Sequence, residues 1–202
     1  MKGMTTANKI TILRILLVPF FISQMLYYVN GGEEFHRLLA ICSFAAAAIS
    51  DGIDGFIARR YNQRSELGAI LDPLADKLLL VSGIVMLSLD HRPHFERIPL
   101  WLPITIISRD MLQLIGLIVI QMTVGKITVH PRFTGKMATV FQMVVVSWGL
   151  LKWPAAWLGV WVWAAGICTV VSGLLYVWDG VRQLSASPTS APTAEQAREF
   201  KM

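Results

Sequence analysis

Residues 50–77 read SDGIDGFIARRYNQRSELGAILDPLADK, and four carboxylates in this stretch decide how the chain folds. Asp51 and Asp54 are three residues apart and Asp72 and Asp76 four apart, spacings that set each pair on one face of a helix. Long apolar runs flank the stretch, and Arg60 and Arg64 between the pairs mark a membrane interface. With a rise of 1.5 Å per residue, Asp51 lies roughly 13 Å below Arg60, and an antiparallel return brings Asp72 and Asp76 to a similar depth. An ionised Asp near a bilayer centre costs at least about 2.5–3.5 kcal/mol on insertion scales. Four together add mutual repulsion, so positive charge has to sit among them.

The neighbouring basic side chains are poor candidates for that charge. Arg59, Arg60 and Arg64 lie at or near the interface, and Lys77, directly after Asp76, points elsewhere on its helix. Bound cations fit better. An all-carboxylate ligand set without His or Cys selects magnesium, manganese or calcium over zinc. Gly52, Gly55 and Gly68 leave bare backbone beside the acids, and Ala58, seven residues after Asp51, extends the small face. Small residues suit close helix packing, but here they also make room for a bulky ligand. Arg59 stands near the mouth, where it can neutralise a phosphate.

The surrounding chain reads as an all-α polytopic membrane protein. Of its 202 residues 54% are hydrophobic and 15% charged, well short of the quarter or so charged in soluble domains. Disorder is excluded, and the net charge of +5 suits anionic lipid rather than nucleic acid. About 20 apolar residues span a bilayer. That ruler gives six transmembrane helices, near residues 10–29, 38–58, 67–89, 100–124, 137–151 and 157–181, with Pro19 a candidate kink in the first. The first apolar run is too long for a signal-peptide core and is expected to be retained. Eleven Lys and Arg fall on the side of the N-terminus and four on the other (Arg37, Arg92, Arg97 and Lys152), so both termini are expected in the cytoplasm. Residues 1–184 form one membrane-embedded domain in this reading, and the Ser-, Pro- and Ala-rich residues 185–202 form a disordered cytoplasmic tail.

The run Asp51-Gly-Ile-Asp54-Gly55-Phe-Ile-Ala58-Arg59, followed after eight residues by Gly68-Ala-Ile-Leu-Asp72-Pro-Leu-Ala-Asp76, resembles the signature of the CDP-alcohol phosphatidyltransferases at every position. Asn8-Lys-Ile-Thr11-Ile-Leu-Arg14 and Pro19 are similar to the N-terminus of the family's bacterial phosphatidylglycerophosphate synthase branch. The resemblance implies a six-helix bundle that forms a homodimer in the inner or cell membrane, with its active site facing the cytoplasm. It implies two divalent cations, magnesium or manganese, held by Asp51, Asp54, Asp72 and Asp76, with Asp76 as general base. CDP-diacylglycerol would lie against Asp51, Gly55, Ala58, Arg59, Gly68 and Asp72. An alcohol attacks its β-phosphorus, and CMP leaves.

Cations further along the chain bear on which alcohol is used. Arg109, about ten residues from either end of the fourth span, precedes Asp110. Adjacent helical residues do not face each other, so an Arg109–Asp110 tether is the weaker reading and an anion-binding Arg109 the stronger. Lys136 and Arg132, at the start of the fifth span, read either as positive-inside charge or as acceptor ligands. Together they suit an acceptor with its own phosphate, such as glycerol 3-phosphate. The branch commonly has Arg-Glu where this chain has Arg109-Asp110, and residues 131–142 also resemble cardiolipin synthases, whose acceptor is phosphatidylglycerol. A cation transporter would also carry buried carboxylates, but the paired repeats typical of that class are not visible. Cys42 and Cys168 lack metal or disulfide spacing and are expected as small core residues. His36, His91, His94 and His130 are expected as solvated interface residues, and the tryptophans clustered towards the C-terminal end (Trp153, Trp157, Trp161, Trp163 and Trp178) as interface anchors and packing residues.

Overall fold

The computed structural model describes residues 6–61, 66–91, 93–124 and 133–185, with side chains described for 12–50, 77–91, 93–116 and 133–182. Among the described residues the chain forms six α-helices and no strand. They are α1 Thr6–Gly31, α2 Glu34–Tyr61, α3 Glu66–Ser88, α4 Trp101–Val124, α5 Phe133–Leu150 and α6 Ala155–Ser185. Each coincides with one apolar run, because a chain that buries its backbone among apolar side chains must satisfy its own N–H and C=O groups, and a helix does so locally. Pro19 lies inside α1. Two described stretches, Ile12–Gly31 and Ala155–Arg182, are long and apolar enough to cross a membrane, and Lys77–Ser88 is apolar but shorter. The tail assigned to residues 186–202 lies outside the described residues.

The packing places α3 at the pivot. Helices α1 and α2 form one hairpin and α5 and α6 another; α4 lies along α6, while α3 contacts α1, α2, α4 and α5. Between α1 and α2 the contact is made by Phe21 and Phe44, with ring centroids 5.9 Å apart, beside the fully buried Ala40 and Ala47. Helices α3 and α5 approach until a Cβ on Gly83 would stand 2.8 Å from Val146 Cγ1, and one on Gly149 2.8 Å from Leu87 Cδ1. Small residues at such crossings let helix backbones close up. One polar crosslink sits in the α5–α6 seam, where Gln142 Nε2 donates to Thr169 Oγ1 at 3.1 Å. The outward face of α6 is apolar, with Trp157, Trp163, Ile167, Leu174 and Trp178 exposed. A contiguous exposed patch of this kind marks a surface covered by lipid or protein.

Two expectations need correction here. Cys42 is exposed and Cys168 half-buried, so Cys42 is no core residue; on an outward helix face an apolar thiol is tolerated as well as in the interior. His36 and His94 are not simply solvated. His36 Nδ1 lies 2.7 Å from Gln24 Oε1 and its ring stacks on Tyr27, while His94 meets Tyr28 edge-on at 5.2 Å. A ring with one apolar face and a polar edge packs where such surfaces meet. Among the tryptophans, Trp101, Trp148 and Trp161 pack against the core, in keeping with the packing role expected for Trp161.

The bundle is tied at the end formed by the α1–α2 and α5–α6 connections. Helix α5 ends with Trp153 N–H donating to Trp148 O and Lys152 N–H to Gly149 O, at 3.3 and 3.2 Å. This is the Schellman arrangement, which needs a left-handed residue and usually recruits glycine; here Lys152 fills it with φ 54°. Its ammonium donates to Tyr28 Oη and lies 3.4 Å from Glu34 Oε1, over the Tyr28 ring. Arg37 Nε binds Glu34 Oε2 and its Nη1 donates to Leu150 O at 3.2 Å, satisfying a terminal carbonyl of α5. The Arg37 bond is the main reason that the Glu34 carboxyl is held below its ordinary value. Its contribution is therefore present at neutral pH and lost on acidification through that lowered value.

Left-handed backbone costs an L-residue roughly 1–2 kcal/mol, so the side-chain contacts must offset it at Lys152. Lys152→Ala keeps the strain and loses the contacts, whereas Lys152→Gly loses both. The alanine variant should be less stable than the glycine variant by about 1 kcal/mol, read from thermal midpoints in detergent; equal midpoints would contradict this account of the turn.

Candidate functional site

Helices α2 and α3 run as continuous helices through both carboxylate pairs and pack on each other. Four residues, 62–65, separate them. Counted from that connection, Asp54 and Asp51 lie seven and ten residues back along α2, and Asp72 and Asp76 six and ten residues into α3. At the helical rise these are matching distances of about 9–15 Å, so the two pairs share one level of the bundle. Gly55, Ala58 and Arg59 lie on the same part of α2, and Gly68 on α3. The side chains of Asp51, Asp54, Ala58, Arg59, Asp72 and Asp76 lie outside the described residues, as does Arg132 altogether. Among the described residues no group of three or more His, Cys, Asp or Glu could hold a metal ion. The donor set that α2 and α3 carry to one level is purely carboxylate, and its chemistry fits hard divalent cations.

Next to that level the described side chains form a charged cluster. Lys77, one residue beyond Asp76 on α3, extends to α4, where its Nζ lies 3.1 Å from Asp110 Oδ1. The same oxygen accepts from Arg109 Nη1 at 2.8 Å. Arg109 Nη2 in turn donates to Ser172 Oγ on α6 at 2.9 Å. Asp110 and Arg109 are each only 12% exposed at the side chain, against 34% for Lys77. Among the described residues two cations thus meet one carboxylate, leaving one positive charge in excess.

The expectation that Arg109 and Asp110 do not meet is therefore corrected. The rule for adjacent helical residues concerns the directions of their Cβ atoms, and a guanidinium on a long flexible stem folds back over its own turn. Arg109 also stands nearer one end of its helix than supposed, eight residues from Trp101 and fifteen from Val124. Its stem fits against Gly173, where an added Cβ would come 3.3 Å from Arg109 Cγ. Its guanidinium fits against Gly135, where an added Cβ would come 3.2 Å from Nη2. Two glycines on α5 and α6 thus cradle the arginine. Helix α5 begins at Phe133, earlier than the sequence suggests, which draws Gly135 and the exposed Lys136 into its first turn. Arg109 and the start of α5 are therefore brought together. In that region Arg109 Nε and Thr134 Oγ1 are buried with no hydrogen-bond partner, donors suited to an anion's oxygens.

Sequence reasoning weighed Asp110 only as the weaker tether for Arg109, passed over Ser172 and Thr134, and set Lys77 aside as a counter-ion. Asp110 carries the signal used for the other four acids, a carboxylate within an apolar span. Ser172 and Thr134 carry none, since small hydroxyl residues are common in such helices. Arg14 on α1, 1% exposed, is a further buried cation whose position in an apolar run was noted only as part of an N-terminal motif.

Comparison with known proteins agrees with this architecture. The family model described as CDP-alcohol phosphatidyltransferase matches residues 4–172. A protein of Mycobacterium tuberculosis (strain H37Rv) named probable phosphatidylglycerophosphate synthase is 34% identical over 182 residues, covering 88% of this chain and 82% of its own length. The CDP-diacylglycerol–glycerol-3-phosphate 3-phosphatidyltransferase of Escherichia coli (strain K12) is 32% identical over 180 residues, covering 88% of this chain and 92% of its own. With the signature complete and the match spanning all the helices that carry it, the chain belongs to the CDP-alcohol phosphatidyltransferase family and is a transferase.

Proposed function

We propose that this chain transfers the phosphatidyl group of CDP-diacylglycerol to glycerol 3-phosphate, releasing phosphatidylglycerophosphate and CMP in phospholipid biosynthesis. The observation that carries the reading is the similarity, over 88% of the chain, to an enzyme named for that reaction. The excess positive charge around Lys77, Arg109 and Asp110 supports an acceptor that brings its own phosphate. In this reading all six helices span the bacterial-type inner membrane, both termini and the site face the cytoplasm, and the enzyme works as a homodimer.

Asp51, Asp54, Asp72 and Asp76 would hold two divalent cations, magnesium or manganese. Bound there, such ions neutralise the diphosphate and steady the charge that develops on departing CMP. Gly55, Ala58 and Gly68 leave room for the nucleotide along α2 and α3, and Arg59 offers its guanidinium to a phosphate oxygen. Asp76 accepts the proton of the acceptor's hydroxyl as its oxygen bonds to the β-phosphorus. The bond from that phosphorus to the CMP oxygen breaks, and CMP leaves with the electron pair. Arg109, Lys136 and Arg132 seat the acceptor's phosphate, and the buried Nε of Arg109 has a hydrogen to give it.

The purified protein should release CMP from CDP-diacylglycerol with glycerol 3-phosphate and magnesium or manganese, fall silent in EDTA, and not be restored by zinc. Incorporation from phosphatidylglycerol alone would instead assign a cardiolipin-forming reaction, and cation flux without CMP release a transporter. Asp76→Asn should lower turnover at least about a hundredfold, the scale of a lost general base, while CDP-diacylglycerol binding is partly kept; unchanged turnover would remove Asp76 from that role. Arg109→Ala should raise the acceptor KM about tenfold or more with little change for the nucleotide lipid. An equal loss for both would make Arg109 a tether only.

A further inference from the structure

We infer that Asp110 is a positioning residue that assembles the acceptor's phosphate seat by holding Lys77 and Arg109 on a single carboxylate oxygen, and that Lys77 belongs to that seat. The inference deepens the proposed function and rests on its phosphate-bearing acceptor. Lys77 Nζ and Arg109 Nη1 stand 3.1 and 2.8 Å from Asp110 Oδ1. Two cations this close in a poorly hydrated bundle repel unless a negative charge lies between them. Asp110 supplies that charge while itself 8% exposed. A buried carboxylate is tolerated only when it is paired and hydrogen-bonded, and here the pairing is what fixes the geometry. Ser172 Oγ and the Gly135 and Gly173 surfaces hold Arg109 from the other side, so its guanidinium is located by three helices. Lys77, the most exposed of the three, has its ammonium turned from α3 to α4 by the same oxygen. Because Lys77 follows Asp76 directly, Asp110 also ties the end of the reacting stretch of α3 to the acceptor side of the bundle. The chemistry recognised is a phosphate monoester on a small polyol.

The sign of one measurement separates this role from a purely electrostatic one. If Asp110 merely lowered the local positive potential, Asp110→Asn would add a net positive charge and tighten phosphate binding. As a positioning residue, its neutralisation lets Lys77 and Arg109 splay apart. The KM for glycerol 3-phosphate should then rise about tenfold, with the KM for CDP-diacylglycerol within about twofold of wild type. Asp110→Glu should restore the acceptor KM to within about threefold, because the charge is kept and only its reach changes. Lys77→Met should raise the acceptor KM as well, and the double variant Asp110→Asn/Lys77→Met should lose less than the product of the single effects, since it removes both members of a coupled pair. Thermal midpoints in detergent, measured alongside, identify loss of folded protein. A lowered or unchanged acceptor KM in Asp110→Asn, or multiplicative single effects, would overturn the inference. So would parallel losses for both substrates, or no rescue by glutamate in a folded variant. Failure of the underlying reading shows in the wild type, which would then use phosphatidylglycerol and not glycerol 3-phosphate, and the inference falls with it; failure of the inference alone leaves wild-type turnover of glycerol 3-phosphate intact.

Discussion

A carboxylate carried into an apolar helical bundle has to be met by positive charge, and that requirement organises this molecule. Ionised groups lose far more on leaving water than an isolated contact returns, so each acid needs its own local solution. Asp110, almost fully buried, is met by Lys77 and Arg109. The four aspartates of α2 and α3 face the same requirement, and on the proposed reading divalent ions meet it. Structural pairing and catalytic metal binding are then two answers to one electrostatic constraint, reached with different partners.

The two ends of the bundle divide the work. The end where α1 meets α2 and α5 meets α6 is closed by short connections, a Schellman turn and a web of Tyr28, Glu34, Arg37 and Lys152. Such a knot resists separation of the helices. Towards the other end α3 carries its aspartates, and Arg109 reaches the start of α5. A bundle fixed at one end and loaded with charge at the other can admit a polar headgroup without coming apart, provided that its pivot helix keeps its rotation. Helix α3 is that pivot, packed by Gly83 and Leu87 against α5 and tied by Lys77 to α4.

Much of this was legible in the sequence. Apolar run lengths gave six helices whose bounds agree with the structure to within about four residues, because a backbone buried in an apolar run satisfies its own polar groups by continuing as one helix. The carboxylate spacings and the glycines between them pointed to the family that the comparisons show. What was not legible depended on reach and on neighbours distant in sequence. The fold-back of Arg109 onto Asp110 escapes a rule about Cβ directions. The turn of Lys77 towards α4 depends on where α4 lies, and the glycine cradle at Gly135 and Gly173 on three helices meeting. Lys152 in a left-handed turn was hidden because propensity favours glycine there, and only the tertiary contacts of its ammonium explain the exception.

The central claim is that the aspartates of α2 and α3 exist to hold a pair of hard cations against a lipid diphosphate. Manganese titration followed by electron paramagnetic resonance, on the full chain in lipid nanodiscs containing CDP-diacylglycerol, tests it without relying on turnover. The account predicts two ions bound per chain, with spin coupling between them, and loss of that signal when Asp72 and Asp76 are both replaced by asparagine in a protein that keeps its helicity. Undiminished manganese binding in that variant would contradict it.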